Sequence, residues 1–196
     1  MALFGFGSQK DAAVYVRGAG FYLRPPEMDD FPAWARLRAA SRDFLTPWEP
    51  VWPSDDLTRG AFRLRLRRYR ADMSEDIAYP LFLFRDDGAL MGGLTFGQVR
   101  RGGSQTAPLG YWVGAPHAGK GPMSRAVRPP AALAFDELRL HRIEAGCVPE
   151  NTASMKLLER CGFHREGLAR AYLRINGQWR DHLLYALLEN DPARTD

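Results

Sequence analysis

The chain has 196 residues, 45% hydrophobic and 26% charged, with 27 Lys and Arg against 23 Asp and Glu. This is the mix of one soluble globular domain with room for a real core, and it excludes collagen-like, disordered and disulfide-rich secreted classes. Only two cysteines are present, the net charge is a mild +4, and no apolar run approaches the ~20 residues that a bilayer crossing needs.

Cys147 and Cys161 read as reduced thiols of a cytoplasmic protein. The opening Met1-Ala2-Leu3-Phe4-Gly5-Phe6-Gly7 is apolar but has no basic n-region, and Lys10 and Asp11 follow, so a signal peptide is not expected. The charge favours anionic ligands without specifying nucleic acid.

Residues 1–20 are spaced by Gly and Ala and read as a leading arm. Phe21-Tyr22-Leu23-Arg24 is a short strand stopped by Pro25-Pro26. Asp29 or Asp30 is placed to cap a helix carrying Phe31, Trp34, Ala35 and Leu37. The prolines of residues 44–53 predict an extended aromatic loop there. Ser54 or Asp55 then opens a second helix to about Ala71. Residues 78–84 and 89–96 read as strands around the turn Asp86-Asp87-Gly88. Gly92-Gly93 within the second strand predicts a bulge or a close backbone approach. Residues 109–113 form a third strand. A helix is predicted from about 122 to 138, a strand over 142–148, and a helix capped by Asn151 and stopped by Gly162. Strands 168–175 and 179–187 flank Asn176-Gly177, the strongest short hairpin signal. The order is β-αα-βββ-α-β-α-ββ, an α/β fold with a mostly antiparallel sheet.

The stretch from Trp112 to Val127 carries the chemistry. A strand ends, Gly119 and Gly121 flank Lys120, and a helix begins with Ser124 in its first turn. First-turn N–H groups lack intrahelical partners, and the helix dipole adds positive potential. Glycines let backbone approach a ligand closely. Such a turn suits a pyrophosphate, although a plain glycine turn gives the same short pattern. The spacings of a triphosphate P-loop and of G-x-G-x-x-G are both absent.

The loop is followed by Asn151-Thr152-Ala153-Ser154 and Glu159-Arg160-Cys161-Gly162-Phe163. This order resembles the GCN5-related N-acetyltransferase (GNAT) superfamily. Further matching segments are Leu23-Arg24-Pro25-Pro26, Phe44-Leu45-Thr46-Pro47-Trp48, Leu109-Gly110-Tyr111-Trp112, His141-Arg142-Ile143-Glu144-Ala145, Pro149-Glu150-Asn151 and Ile175-Asn176-Gly177-Gln178-Trp179-Arg180-Asp181-His182. They resemble the RimJ/RimL group of ribosomal-protein-alanine N-acetyltransferases, the RimJ branch most. The resemblance spans residues 21–188 as one acetyltransferase domain, with residues 189–196 left as a tail.

The resemblance implies an acetyl-CoA-dependent N-acetyltransferase acting by direct transfer in a ternary complex. Splayed strands 109–114 and 142–148 would hold the pantetheine, beside Trp112 and Val113, with the backbone N–H near Val113 as oxyanion donor. Ala118, Gly119, Lys120, Gly121, Met123 and Ser124 would hold the pyrophosphate. Asn151 either touches the pantetheine or caps its helix. Ser154 either meets the thiolate sulfur or is a polar first-turn residue. Leu158 stands where many relatives carry an acidic tyrosine. Glu144 is a base or a salt-bridged strand residue, and a water chain is an equal alternative. Trp48 and Trp52 would line the acceptor side, and Tyr172 and His182, on the last two strands, either line it too or are packing or hairpin residues. Ala118, Pro122 and Met123 depart from the superfamily loop, and Pro129-Pro130 predicts a kink or break near residues 128–130.

The acceptor is expected to be a protein N-terminal α-amine, by resemblance that of a ribosomal protein. A small-amine acetyltransferase and a non-catalytic acyl-CoA-binding or ribosome-associated module are the alternatives. Arg59, Arg63, Arg65, Arg67, Arg68 and Arg70 form either a solvated helix face or a weak contact for ribosomal RNA. No metal, no C-x-x-C pair and no membrane partner are expected.

Overall fold

A mixed eight-stranded sheet organises the chain, in the order β1-β2-β3-β4-β5-β6-β8-β7. The computed structural model describes residues 16–191. The strands are β1 (Val16–Gly18), β2 (Phe21–Arg24), β3 (Tyr79–Arg85), β4 (Leu90–Phe96), β5 (Thr106–Val113), β6 (Arg142–Cys147), β7 (His164–Ile175) and β8 (Gln178–Leu188). The helices are α1 (Phe31–Ala40), α2 (Arg42–Leu45), α3 (Arg59–Ser74), α4 (Pro122–Asp136) and α5 (Thr152–Arg160). Every neighbouring pair is antiparallel except β5 with β6. This is the expected α/β class with a mostly antiparallel sheet.

Alternation along the strands fills both faces of the sheet. Leu81 and Leu83 of β3 join the core beneath α4 and α5. Phe82 and Phe84 join Trp34 of α1 and Phe62 of α3 on the other face. A sheet apolar on both faces needs a helix layer on each, and the chain supplies them. Among the described residues no helix is long and apolar enough to cross a membrane.

Several sequence expectations are corrected. Part of the leading arm is structured: Val16–Gly18 pairs with Phe21–Leu23, while residues 1–15 lie outside the described residues. Asp30 precedes α1, but its carboxylate binds Arg24 at 2.6 and 2.8 Å and the Glu27 N–H at 2.7 Å, not the α1 backbone. The aromatic loop is not wholly extended, because Arg42–Leu45 and Thr46–Trp48 form helical turns. Proline at the first positions of a short turn costs little. The second helix is capped by Thr58, whose hydroxyl accepts from the Ala61 N–H at 3.2 Å, rather than by Ser54 or Asp55.

The expected break at Pro129-Pro130 does not occur, since α4 is one helix through both prolines. Tertiary packing overrides propensity here. Met123, Ala126, Val127, Ala131, Ala134 and Phe135 are all buried against the sheet. Arg128 also donates from Nη2 to the Arg160 carbonyl at 2.8 Å, tying α4 to the end of α5.

The Asn-Gly hairpin behaves as expected. Asn176 and Gly177 both have positive φ, 43° and 80°, and Ile175 pairs directly with Gln178. That is the turn whose twist matches its strands. Its tip docks on the aromatic loop: the Asn176 N–H donates to the Glu49 carbonyl at 2.9 Å.

Candidate active site

The parallel pair β5–β6 has only three registered partners, ending at Pro108 opposite Glu144. Beyond them the strands part. The hydrogen-bond parity shows what faces the opening. The Gly114 N–H donates to Met91 O and the Gly97 N–H to Pro108 O. Val113 and Leu109 are therefore non-hydrogen-bonded partners of β4, and the backbone of Tyr111 and Val113 points away from β4 into the gap. On the far wall the Glu189 N–H donates to His141 O. By the same alternation Gly146 turns its backbone from β8 toward the gap. The gap thus has unpaired amide groups on both walls, as a sheet edge offers an extended amide-bearing chain.

A bulge lies in the adjoining β3–β4 pair. Phe84 pairs with Leu90 and Leu83 with Gly92, so Met91 has no partner on β3. The expected close approach lies beside it, since a Cβ on Gly92 would sit 2.3 Å from the Trp112 carbonyl. Trp112 itself turns its backbone to β4 and its ring to Phe82, edge-on at 6.4 Å.

The loop past β5 supplies donors without acceptors. Gly119 and Gly121 have φ of 73° and 75°, and nothing lies within 4 Å of where either Cβ would stand. Gly121 occupies the N-cap of α4 with no side-chain cap. Ala118 leads in with extended backbone. Met123 buries its side chain and offers only its backbone. Lys120 is exposed, its Nζ donating to Pro116 O at 3.0 Å. The side chain of Ser124 lies outside the described residues. Open N–H groups, a helix dipole and the exposed cations Lys120 and Arg125 fit an anion such as a pyrophosphate.

At the start of α5, Asn151 Oδ1 accepts from the Ser154 N–H at 3.0 Å, a helix cap. Ser154 Oγ lies 2.5 Å from Tyr111 Oη. Burial holds the Tyr111 phenol well above its ordinary range, so it stays protonated. Burial likewise raises the Cys147 thiol, partly offset by a hydrogen bond with Ser154. The Cys161 thiol is pushed up to about 11 by burial. Both are buried thiols outside any disulfide. Among the described residues no cluster of metal-ligating side chains exists.

The opposite face of the sheet holds a cavity of about 180 Å³ lined by Trp34, Arg38, Glu49, Tyr69, Thr95 and Trp112. Arg38 binds Glu49 through both nitrogens at 2.8 and 2.6 Å. The Trp52 indole N–H also donates to Glu49, at 2.7 Å. The Arg38 guanidinium lies 4.0 Å from the Trp52 ring centroid and 5.0 Å from that of Trp112. Trp48 stands half-buried in the helical turn before this group. Tyr172 is on β7, half-exposed, with its ring edge-on to His182 at 5.6 Å.

Of the predicted site residues, Val113 lies on the β5 wall of the gap, Asn151 and Ser154 open α5 where Ser154 meets Tyr111 of β5, and Ala118 to Met123 form the loop and first turn before α4. Glu144 stands apart. It lies where β5 and β6 are still paired, bonded to Arg100 and, at 3.0 Å, to Arg142. Tyr111, Arg38 and Glu49 were not singled out from the sequence. Only the Leu-Gly-Tyr-Trp segment hinted at Tyr111, and nothing local marks an arginine and a glutamate eleven residues apart as partners.

Comparison with known proteins fits this geometry. The acetyltransferase (GNAT) domain family matches residues 21–164. The Bacillus subtilis protein named "Probable N-acetyltransferase YjcK" is 40% identical over 177 residues, 90% of this chain and 98% of that one. The [ribosomal protein uS5]-alanine N-acetyltransferase of Escherichia coli is 37% identical over 165 residues, 83% of this chain and 85% of that one. Mycobacterium smegmatis RimJ in complex with CoA-disulfide superposes with a TM-score of 0.82 at 37% identity, covering 86% of this chain and 82% of that one. The splayed strands, the uncapped helix and these matches agree, and the chain belongs to the GNAT family of N-acetyltransferases.

Proposed function

We propose that the protein transfers the acetyl group of acetyl-CoA to the N-terminal α-amine of a protein, a ribosomal protein being the class its relatives' names suggest. The observation that carries this is the gap between β5 and β6, walled by unpaired amides of Tyr111, Val113 and Gly146. An extended cofactor arm with its own amides fits such walls, and the glycine loop before α4 takes its pyrophosphate. Acetyl-CoA supplies the activated acyl group. Two cysteines outside any disulfide suit the reducing cytoplasm, where such acceptors are made.

The chain's residues then divide the work. The Val113 N–H, pre-aimed into the gap, receives the negative charge that develops on oxygen during attack. Ser154 donates a hydrogen bond toward the departing sulfur, and Tyr111 donates to Ser154. A phenol whose pKa is raised is a poor net acid toward a thiolate, so the pair acts by hydrogen bonding rather than by giving up a proton. Glu144, held by two arginines, keeps the strands in register below the gap. Trp48, Trp52 and Tyr172 border the acceptor.

Calorimetric titration with acetyl-CoA and desulfo-CoA tests the cofactor half, with micromolar binding expected. Mass spectrometry of N-terminal peptides incubated with enzyme and acetyl-CoA tests the acceptor half, with one added acetyl group on the α-amine expected. Absence of binding at millimolar cofactor would refute the reading, and acetylation of polyamines in place of peptides would change the acceptor.

A further inference from the structure

His182 is a buried titratable side chain, 3% exposed, that the chemistry above does not use. It shares a sheet face with Trp112. Ala107 and Ile143, registered across the parallel pair, both enter the core beneath α4 and α5. Residues of opposite parity, Trp112 on β5, Gly146 on β6 and His182 on β8, therefore lie on the other face, toward the acceptor side.

Two observations give this imidazole an orientation and an outlet. Its Nδ1 lies 3.0 Å from the Arg180 carbonyl. A carbonyl only accepts, so in the neutral imidazole Nδ1 carries the proton and Nε2 the lone pair. Nε2 has no hydrogen-bond partner among the described residues. The second observation is Gly146, whose backbone faces the gap. The nearest atom to a Cβ placed there is His182 Cδ2, at 3.7 Å. With no side chain on Gly146, that residue leaves the Cδ2 side of the ring, to which Nε2 is bonded, uncovered.

The surrounding strands hold the ring in place. The register of β7 against β8 shifts between Ala169 and Leu173. Ala171 takes a positive φ of 45° in this bulge, an uncommon conformation for a residue with a Cβ. The bulge swings Tyr172 edge-on over His182. The neighbouring charges are engaged elsewhere. Arg180 pairs with Glu150 at 2.9 Å, and Asp181 accepts from the Ala171 N–H at 2.8 Å.

We propose that His182 is the general base that deprotonates the acceptor ammonium, reaching it over Gly146. This rests on the acetyl-transfer reading above. One proton passes from the ammonium to Nε2 and on to bulk water. The neutral nitrogen forms the new bond to the acetyl carbon as the carbon–sulfur bond breaks, its electron pair leaving with sulfur. The second nitrogen proton, lost as the amide forms, ends on the thiol.

The experiment is the pH profile of kcat/KM for an N-terminal peptide with wild type and His182→Gln, each checked for acetyl-CoA affinity and Tm. The expected result is a loss of about 100-fold near neutrality. It should shrink as rising pH lets the amine deprotonate unaided, with cofactor affinity unchanged. A profile parallel to wild type, or one superimposed on it, would overturn the assignment. Should His182→Gln fail to fold, Gly146→Ala serves, since its methyl would meet the ring at an ordinary 3.7 Å. A tenfold loss in peptide kcat/KM at constant cofactor affinity is expected, and an unchanged value would overturn the proposal. Wild type that binds cofactor yet acetylates no amine would instead sink the underlying reading, before any variant is compared.

Discussion

Tyr111 Oη and Ser154 Oγ lie 2.5 Å apart across forty-three residues of sequence. Leu158, one turn along α5, is fully buried and cannot supply a hydroxyl. The phenol instead comes from β5. Ser154→Ala should lower kcat about 100-fold with little change in acetyl-CoA KM, because the proposed bond to sulfur would form only as charge develops. Tyr111→Phe should cost about tenfold. The double variant should be no slower than Ser154→Ala, since Tyr111 acts through Ser154. Multiplicative losses in steady-state kinetics would show two independent roles.

The Arg38–Glu49 pair joins stability to the acceptor site. Arg38 is 9% exposed and Glu49 21%. Removing one partner of a buried pair strands the other, at about 3–5 kcal/mol. Glu49→Ala should sit at the low end, about 3 kcal/mol, read by urea denaturation. Trp52→Ala removes a hydrogen bond to Glu49 and the ring under Arg38. It and Trp48→Ala should raise acceptor KM more than acetyl-CoA KM. Equal rises in both would detach the aromatic loop from acceptor recognition.

Gly119 and Gly121 separate conformation from space. Nothing would touch a Cβ at either, yet both have positive φ. Alanine there costs about 1–2 kcal/mol through backbone strain alone. Gly119→Ala and Gly121→Ala should each weaken acetyl-CoA about tenfold by calorimetry, and strain retained in the folded protein should lower Tm by about 2–8 °C. Unchanged affinity would mean that the loop does not need this backbone shape.

Most of the architecture was legible because it is local. Asn176-Gly177 fixes a hairpin by its own backbone preferences, and apolar alternation marks β3 and β4. What escaped depends on distant partners. The chain gives no local sign that Asp30 spends its carboxylate on Arg24. Nor does it show that Val16–Gly18 finds an edge on β2, or that residues 170–172 bulge over His182. Those outcomes are set when strands remote in sequence come into register.

Acid stability follows in part from two carboxylates. The hydrogen bond from Arg101 holds Asp76 below its ordinary range, and that from Arg142 does so for Glu166. Unfolded, they titrate near about 3.9 and 4.3. A depressed folded pKa contributes stability that is complete above the unfolded value and lost as pH falls through the folded one. Tm should therefore hold steady down to about pH 5 and decline below about 4. Asp76 and Glu166 are more than a third exposed, so 0.5 M salt should flatten the decline. Arg101→Gln and Arg142→Gln should each do the same, and an unaltered Tm–pH curve in both would remove these pairs from the account.

Pro129 tests how α4 tolerates its prolines. The ring removes the hydrogen bond to the Arg125 carbonyl and crowds that carbonyl, at about 3 kcal/mol in a helix interior. Pro130 is buried, so replacing it would leave a void that offsets the regained bond. Pro129 is only half-buried, and alanine there loses little packing. Because α4 already runs unbroken through both positions, Pro129→Ala needs no rearrangement to form its new bond. It should stabilise the protein by about 1–3 kcal/mol, read as a higher denaturation midpoint with an unchanged m-value. A lower midpoint would mean that the proline ring sets the line of α4 against the sheet, and that the helix end at Gly121 moves when it is lost. Acetyl-CoA affinity measured on the same variant distinguishes the two: it holds in the first case and falls in the second.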